Sequence, residues 1–316
     1  MTTQFAFVFP GQGSQQVGML SAIAAEQSVI QETFAEASAA LGYDLWQLVQ
    51  QGPAESLNQT EQTQPAILTA SVALWRLWQA KTAATPVLVA GHSLGEYSAL
   101  VCAESLPLAD AVKLVRLRGR LMQEAVAEGE GAMAAVIGLD DGAVAEACTE
   151  AAEQQVVAPV NYNSPGQVVI AGHREAVERA MVLVKDKGAK KVMPLPVSVP
   201  SHCLLMKPAA EKLAEALAEI DVNQPKIPVL QNVTASTADT IEQLRENLVK
   251  QLYSPVLWVN TVQAIADAGV DTIYECGPGK VLSGLNKRIN RRLTVASLEQ
   301  FEALEAALAA LNANFS

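Results

Sequence analysis

A short apolar run, Val87-Leu-Val-Ala90, ends at Gly91-His92-Ser93-Leu94-Gly95 and passes at once into a helix-like stretch. Gly-x-Ser-x-Gly at such a junction is the pattern of a nucleophile elbow: a serine on a tight strand-to-helix turn, with its hydroxyl exposed. The turn is crowded, and the glycines on either side are read as relieving it because they lack Cβ. Ser93 would also sit at a helix N-terminus, where backbone N–H groups favour developing negative charge. The junction joins a strand to a helix, one step of an α/β alternation.

The rest of the chain supplies that alternation. An apolar strand at 5–9 stops at Pro10 and is followed by Gly11-Gln12-Gly13-Ser14-Gln15. This loop is neither a dinucleotide fingerprint nor a phosphate-binding loop, because the third glycine is misplaced and no Gly-Lys-Ser/Thr follows. Helices are expected at 19–41, 65–80 and 108–127, with a strand at 87–90. The segment 131–199 has its own rhythm: strand 132–137, helix 142–154, strands 156–162 and 167–171, helix 174–187 and strand 191–199. That β-α-β-β-α-β order predicts a small ferredoxin-like α+β subdomain. Helix 205–218, strand 228–232, helix 241–252, strand 271–276 and helix 280–290 then resume the α/β pattern. The expected architecture is α/β: a large α/β-hydrolase-like domain from 1–130 and 200–316, interrupted by an inserted subdomain at 131–199. A cleft between the two parts is the natural substrate site.

Composition narrows the function. Half of the 316 residues are apolar, enough for a large core, and the formal net charge is −11. So acidic a chain is a poor general binder of nucleic acid or of anionic membranes. Cys102, Cys148, Cys203 and Cys276 form no CxxC, which points away from a zinc site or a disulfide framework. The N-terminus, Met1-Thr-Thr-Gln-Phe-Ala-Phe-Val-Phe-Pro10, has no basic leader region, and no run is long enough to span a bilayer. A cytoplasmic protein is expected.

A serine nucleophile needs a base, and the chain has only His92, His173 and His202. His92 adjoins the serine, and neighbours on a sharp turn point apart. His173 reads as a loop residue. His202, in Val197-Ser-Val-Pro200-Ser201-His202-Cys203, follows the last strand of the insert where the chain returns to the cleft. An ordinary histidine there would titrate near pH 6–7. No acidic residue stands out as the third member of a triad, so a carbonyl could orient the imidazole. On the helix through Lys113–Glu124, Lys113, Arg116, Arg120 and Glu124 share a solvated stripe, with Arg120 and Glu124 paired at i, i+4. Arg118 falls instead among Ala111, Leu114, Val115, Met122 and Ala125. A cation on a core-facing stripe is costly unless a salt bridge or a bound anion meets it, and its planar fork suits a carboxylate.

Phe9-Pro-Gly11-Gln12-Gly13-Ser14-Gln15, Gly91-His-Ser93-Leu-Gly95-Glu-Tyr97, Arg118-Gly119 and Ser201-His202, in that order, resemble the malonyl-CoA:acyl carrier protein transacylases of fatty-acid synthesis. They are also similar to the acyltransferase domains of polyketide synthases. The resemblance runs over essentially the whole chain, which looks like the discrete, stand-alone enzyme. It implies Ser93 as nucleophile, His202 as base, and the N–H groups of Gln12 and Leu94 as an oxyanion hole. Arg118 would bind the malonyl carboxylate, and Gln251 would help hold the site together. The main-chain carbonyl of Asn232 would orient His202, and Asn161, Asn163 and Gln167 would line the cleft from the small domain. Malonyl-CoA and a transiently docked acyl carrier protein are the implied partners, with phosphopantetheine brought by the carrier and no cofactor of the chain's own. A monomer is expected.

Carriers of this kind are strongly anionic by the same resemblance, and a chain at −11 repels them globally. Lys280, Lys287, Arg288, Arg291 and Arg292 fall close together, with Lys190 and Lys191 at the edge of the insert. They read either as an ordinary cationic helix C-terminus or as a local docking patch. Two other functions fit parts of the pattern. A serine esterase or thioesterase shares the elbow, but would normally carry a clear acid and an HGGG-type loop. A non-catalytic carrier-docking subunit would not need an intact serine, histidine and arginine.

Overall fold

The computed structural model describes residues 4–197 and 199–313. The first three residues of the N-terminal stretch, and Ser198 within the segment expected as strand 191–199, lie outside the described residues. In chain order the strands are β1 (Phe5–Phe9), β2 (Leu88–Gly91), β3 (Gly131–Ile137), β4 (Val157–Ser164), β5 (Gln167–His173), β6 (Lys191–Pro194), β7 (Val229–Leu230), β8 (Thr272–Glu275) and β9 (Thr294–Ser297). They form a five-stranded sheet in the order β7-β2-β1-β8-β9 and a four-stranded sheet in the order β4-β5-β3-β6.

Every pairing in the first sheet is parallel. Parallel sheets are covered on both faces, and β1, at the centre, has all five residues buried. Its side chains alternate between two cores. Phe5, Phe7 and Phe9 enter the larger core beneath the helix Thr60–Lys81, while Ala6 and Val8 enter one built on Trp258, Val262 and Ile265. Phe7 meets Trp75, Trp78 and Tyr274 edge to face, a geometry that favours ring pairs. This rigid centre holds the ends of β1 and β2, where the cleft opens.

The second sheet is antiparallel throughout and follows the β-α-β-β-α-β order expected for 131–199. The helices Asp141–Ala152 and Arg174–Asp186 cover one face through Val144, Ala147, Val177 and Ala180. The other face presents Met133, Val160 and Val169 toward Cys203, which follows the return of the chain to the larger part. β4 is tied to that part by Tyr162 N–H to Val256 O at 3.0 Å and Val256 N–H to Val160 O at 2.9 Å.

Several elements differ from expectation. The helix expected at 19–41 is two, Ser21–Glu26 and Ser28–Leu41, because Gln27 is extended. The strand expected at 191–199 stops at Pro194, after which Pro196 offers the ladder no N–H. The helix expected at 205–218 is a short 3₁₀ turn, Leu204–Met206, followed by Lys207–Ala218. The helices Leu45–Gln51, Trp258–Asp267 and Phe301–Ala313 and the edge strand β9 carry patterns too short or too evenly apolar to read from sequence. Among the described residues no helix is long and apolar enough to cross a membrane.

Candidate active site

The serine sits where β2 gives way to the helix Gly95–Cys102. Ser93 takes φ 52°, a left-handed conformation that costs a non-glycine residue about 1 kcal/mol or more. The strain therefore falls on the serine and not on its glycines. Gly91 and Gly95 serve close approach instead. A Cβ on Gly91 would stand 1.9 Å from the backbone of Gly95, and one on Gly95 would stand 2.0 Å from Phe9 O. The turn is held by Ser93 N–H to Asn232 Oδ1 at 2.7 Å and Asn232 Nδ2 to Gly91 O at 2.6 Å.

Ser93 Oγ lies 2.8 Å from His202 Nε2. His202 Nδ1 lies 2.6 Å from the main-chain carbonyl of Gln251. A carbonyl can only accept, so Nδ1 carries the proton and Nε2 turns its lone pair to the serine hydroxyl. The orienting carbonyl thus belongs to Gln251 and not to Asn232, as the resemblance implied. Asn232 O is engaged elsewhere, accepting from Leu257 N–H at 3.0 Å, and its side chain holds the serine turn. A carbonyl in place of an acid also explains why no triad carboxylate stands out in the sequence.

His202 is buried, and its pKa falls to about 3, through loss of solvation first and the nearby Arg118 cation second. The ordinary titration near pH 6–7 expected from the sequence does not hold here. The imidazole is neutral, and able to accept a proton, throughout the neutral range. His92 points away, as expected. Its Nε2 lies 2.8 Å from Asn163 Oδ1 and its ring packs on Trp258. His173 is remote, its Nδ1 accepting from Val156 N–H at 2.9 Å.

Arg118 is 1% exposed, on the buried stripe of the helix Leu108–Glu124. Lys113, Arg120 and Glu124 on the other side are exposed, and Arg120 meets Glu124 at 3.8 Å. Among the described residues Arg118 has no carboxylate partner within salt-bridge distance. Nη1 donates to Gln64 Oε1 at 2.8 Å, and Nη2 to Gln251 Oε1 at 2.9 Å and to Ser93 Oγ at 3.3 Å. Its plane lies over the Tyr97 ring, and Nε has no partner among the described residues. A buried cation with donors to spare beside a nucleophile is built to receive an anion.

These groups meet at a cleft of about 480 Å³ between the two sheets. Gln12 and Leu94 line it, as do Asn161 and Asn163 from β4. Gln167 does not. Its Oε1 accepts instead from Arg288 Nη1 at 2.8 Å. The helix Val281–Ile289 forms part of the rim through Val281, Leu282 and Leu285. Lys287 and Arg288 are exposed on it, Lys280 just before it and Arg291 and Arg292 just after it, and Lys190 and Lys191 are exposed on the small domain. Gln64 and Glu96 complete the site, and the sequence reading leaves both out. Gln64 is one polar residue in a buried helix. Glu96 lies in the first turn after the elbow, where an acid is ordinary.

The acyl transferase domain family model matches residues 6–297. The chain is 63% identical over 306 residues to the malonyl CoA-acyl carrier protein transacylase of Escherichia coli, covering 97% of this chain and 99% of that one. It is 44% identical over 310 residues to that of Bacillus subtilis, covering 98% of both. An acyl carrier protein S-malonyltransferase from Vibrio cholerae superposes with a TM-score of 0.95 at 57% identity, over 96% of this chain and 100% of that one. A malonyl-transacylase in complex with its type II PKS acyl-carrier protein gives 0.96 at 56% identity, over 98% and 100%. The serine, with its buried histidine and arginine, therefore stands in a chain that belongs to the acyl transferase family, among the malonyl CoA-acyl carrier protein transacylases.

Proposed function

We propose that the protein moves a malonyl group from malonyl-CoA to the phosphopantetheine thiol of an acyl carrier protein, by a ping-pong route through malonyl-Ser93. The observation that carries this reading is Arg118 Nη2 at 3.3 Å from Ser93 Oγ, with His202 on the other side of the same oxygen. A malonyl group holds its carboxylate one methylene away from the reacting carbonyl. A fixed cation next to the nucleophile therefore selects it over an uncharged acyl group. A simple esterase has no use for that cation.

In the first half-reaction Ser93 Oγ attacks the thioester carbonyl as its proton passes to His202 Nε2. The imidazolium that forms is steadied by Gln251 O at Nδ1. The N–H groups of Gln12 and Leu94 hold the tetrahedral oxyanion, each lowering the barrier by about 3 kcal/mol. The intermediate collapses, the CoA sulfur leaves with the proton from His202, and malonyl-Ser93 remains. The carrier thiol then gives its proton to His202 and repeats the steps in reverse. One thioester is exchanged for another, so the reaction calls for no redox or metal chemistry.

Residues 131–199 are read as an inserted, ferredoxin-like subdomain and 1–130 with 200–316 as the large domain, whose elbow is similar to that of α/β-hydrolases. A cytoplasmic monomer is the working form; four free, buried cysteines suit a reducing compartment. The rim cations Lys190, Lys280, Lys287, Arg288, Arg291 and Arg292 would receive the carrier. Intact-protein mass spectrometry with malonyl-CoA tests the central reading. One malonyl group is expected on the peptide containing Ser93, and it should be discharged by added holo carrier protein. A label elsewhere, or one that the carrier does not remove, overturns it.

A further inference from the structure

Beneath the site lies a buried carboxyl that the chemistry above does not use. Glu96 is 1% exposed and belongs to none of the ion pairs among the described residues. Three N–H donors converge on it instead. Gln231 Nε2 reaches Oε1 at 3.1 Å, while Asn232 N–H and Gln251 Nε2 both reach Oε2 at 2.9 Å. Two of these partners are the ones that hold the catalytic groups. Asn232 fixes the Ser93 backbone through its side chain. Gln251 orients His202 through its carbonyl, accepts from Arg118 through Oε1, and donates through Nε2 to Ser93 O at 3.0 Å.

We propose that Glu96 is a positioning residue whose ionised form locks Asn232 and Gln251, and with them Ser93, His202 and Arg118, and whose protonation switches Ser93 acylation off. An ionised carboxylate only accepts, and so satisfies all three donors. A protonated one must turn an O–H toward groups that can only donate there. That breaks at least one arm of the lock, since a buried donor without a partner is costly. The Gln251 amide also bridges Glu96 and Arg118 without letting them touch. It accepts from the cation on one side and donates to the anion on the other.

The surroundings identify which group titrates. Around Glu96 stand Tyr97 on its own helix, Arg118 on the helix Leu108–Glu124, Gln251 with His202 behind it, and the amides of Gln231 and Asn232. Burial pushes the Glu96 carboxyl up to about 7, against the opposing pull of its three hydrogen bonds and of Arg118. Tyr97 is pushed up to about 12, and His202 lies at about 3. Between roughly pH 5 and 8, the window in which enzymes commonly titrate, Glu96 alone of these groups changes charge.

This inference rests on the malonyl-transfer reading, so the test begins with the wild type. The rate of malonyl-Ser93 formation is followed by quenched-flow mass spectrometry between pH 5 and 8. In the wild type it should fall as pH drops through about 7. Glu96→Gln, nearly the same shape but never charged, should be slower by about tenfold at pH 8 and flat across the range, with KM for malonyl-CoA within about threefold. Gln231→Met removes one donor and touches neither Ser93 nor Gln251. It should shift the wild-type inflection to higher pH, and it tests the idea even if Glu96→Gln does not fold. A malonylated wild type with Glu96→Gln keeping the inflection, or Gln231→Met leaving it in place, overturns the inference alone. A wild type that never acylates at Ser93 overturns the functional reading and this inference together.

Discussion

The floor and the mouth of the cleft both carry cations, under opposite physical conditions. At the floor Arg118 is almost wholly excluded from water and held by Gln64 and Gln251. At the mouth, where the helix Val281–Ile289 forms part of the rim, Lys280, Lys287, Arg288, Arg291 and Arg292 are exposed on or beside that helix, and no ion pair among the described residues involves them. A charge in low dielectric acts strongly over a few ångströms and is poorly screened by salt. A charge in water acts weakly at contact, yet reaches about 10 Å at moderate ionic strength. Under the function proposed above, the floor would choose the acyl group and the mouth would gather an acidic carrier onto a chain whose net charge is −11.

The two regions should fail differently. The largest effect belongs to the floor. Ser93→Ala should abolish covalent malonyl labelling while circular dichroism and melting stay near wild type, because the substitution removes one oxygen and leaves the turn intact. His202→Ala should slow both half-reactions by a factor of order 10³ or more, since the nucleophile loses its base. His173→Ala, far from the cleft, should leave both unchanged. Stopped-flow release of CoA and transfer to the carrier measure the two halves separately. If the wild-type rate falls near pH 6–7 and His202→Gln shifts that inflection, the neutral-base assignment is wrong. The smallest effect belongs to the mouth. Lys287→Glu with Arg288→Glu should raise KM for the carrier several-fold at low salt and leave acylation by saturating malonyl-CoA alone. The difference should shrink as salt is added. A carrier KM that does not move at low ionic strength places docking elsewhere.

Much of this was legible because the local physics was strong. Gly-x-Ser-x-Gly after an apolar run allows few conformations, and the elbow is found there. Arg118 on an apolar stripe could be read from helical periodicity alone, because a lone buried cation breaks the pattern. The β-α-β-β-α-β order of 131–199 was legible from its alternating periods. What stayed hidden depends on distance along the chain. Gln251 meets His202 across 49 positions and Asn232 meets Ser93 across 139, and nothing local marks which carbonyl or amide will arrive. The resemblance places Gln167 along the cleft. Its Oε1 is taken up by Arg288, 121 positions further along the chain, a meeting that no local pattern announces. The His202 shift needs burial and the neighbouring Arg118 together, and neither can be weighed from sequence.

The central claim is that a buried cation beside the nucleophile selects the acyl group. It is tested most directly by competition. Wild type and Arg118→Ala are each mixed with equal malonyl-CoA and acetyl-CoA, quenched early, and the acyl group on Ser93 is read by mass spectrometry. Wild type should carry almost only malonyl. Arg118→Ala should form malonyl-Ser93 slower by a factor of order 10² or more, a charge-assisted contact to a buried charge being worth roughly 2–5 kcal/mol, and should lose far less with acetyl. Its product ratio should narrow or invert. Equal losses for the two acyl groups, with the ratio unchanged, would show that Arg118 only holds the fold and that selectivity comes from elsewhere.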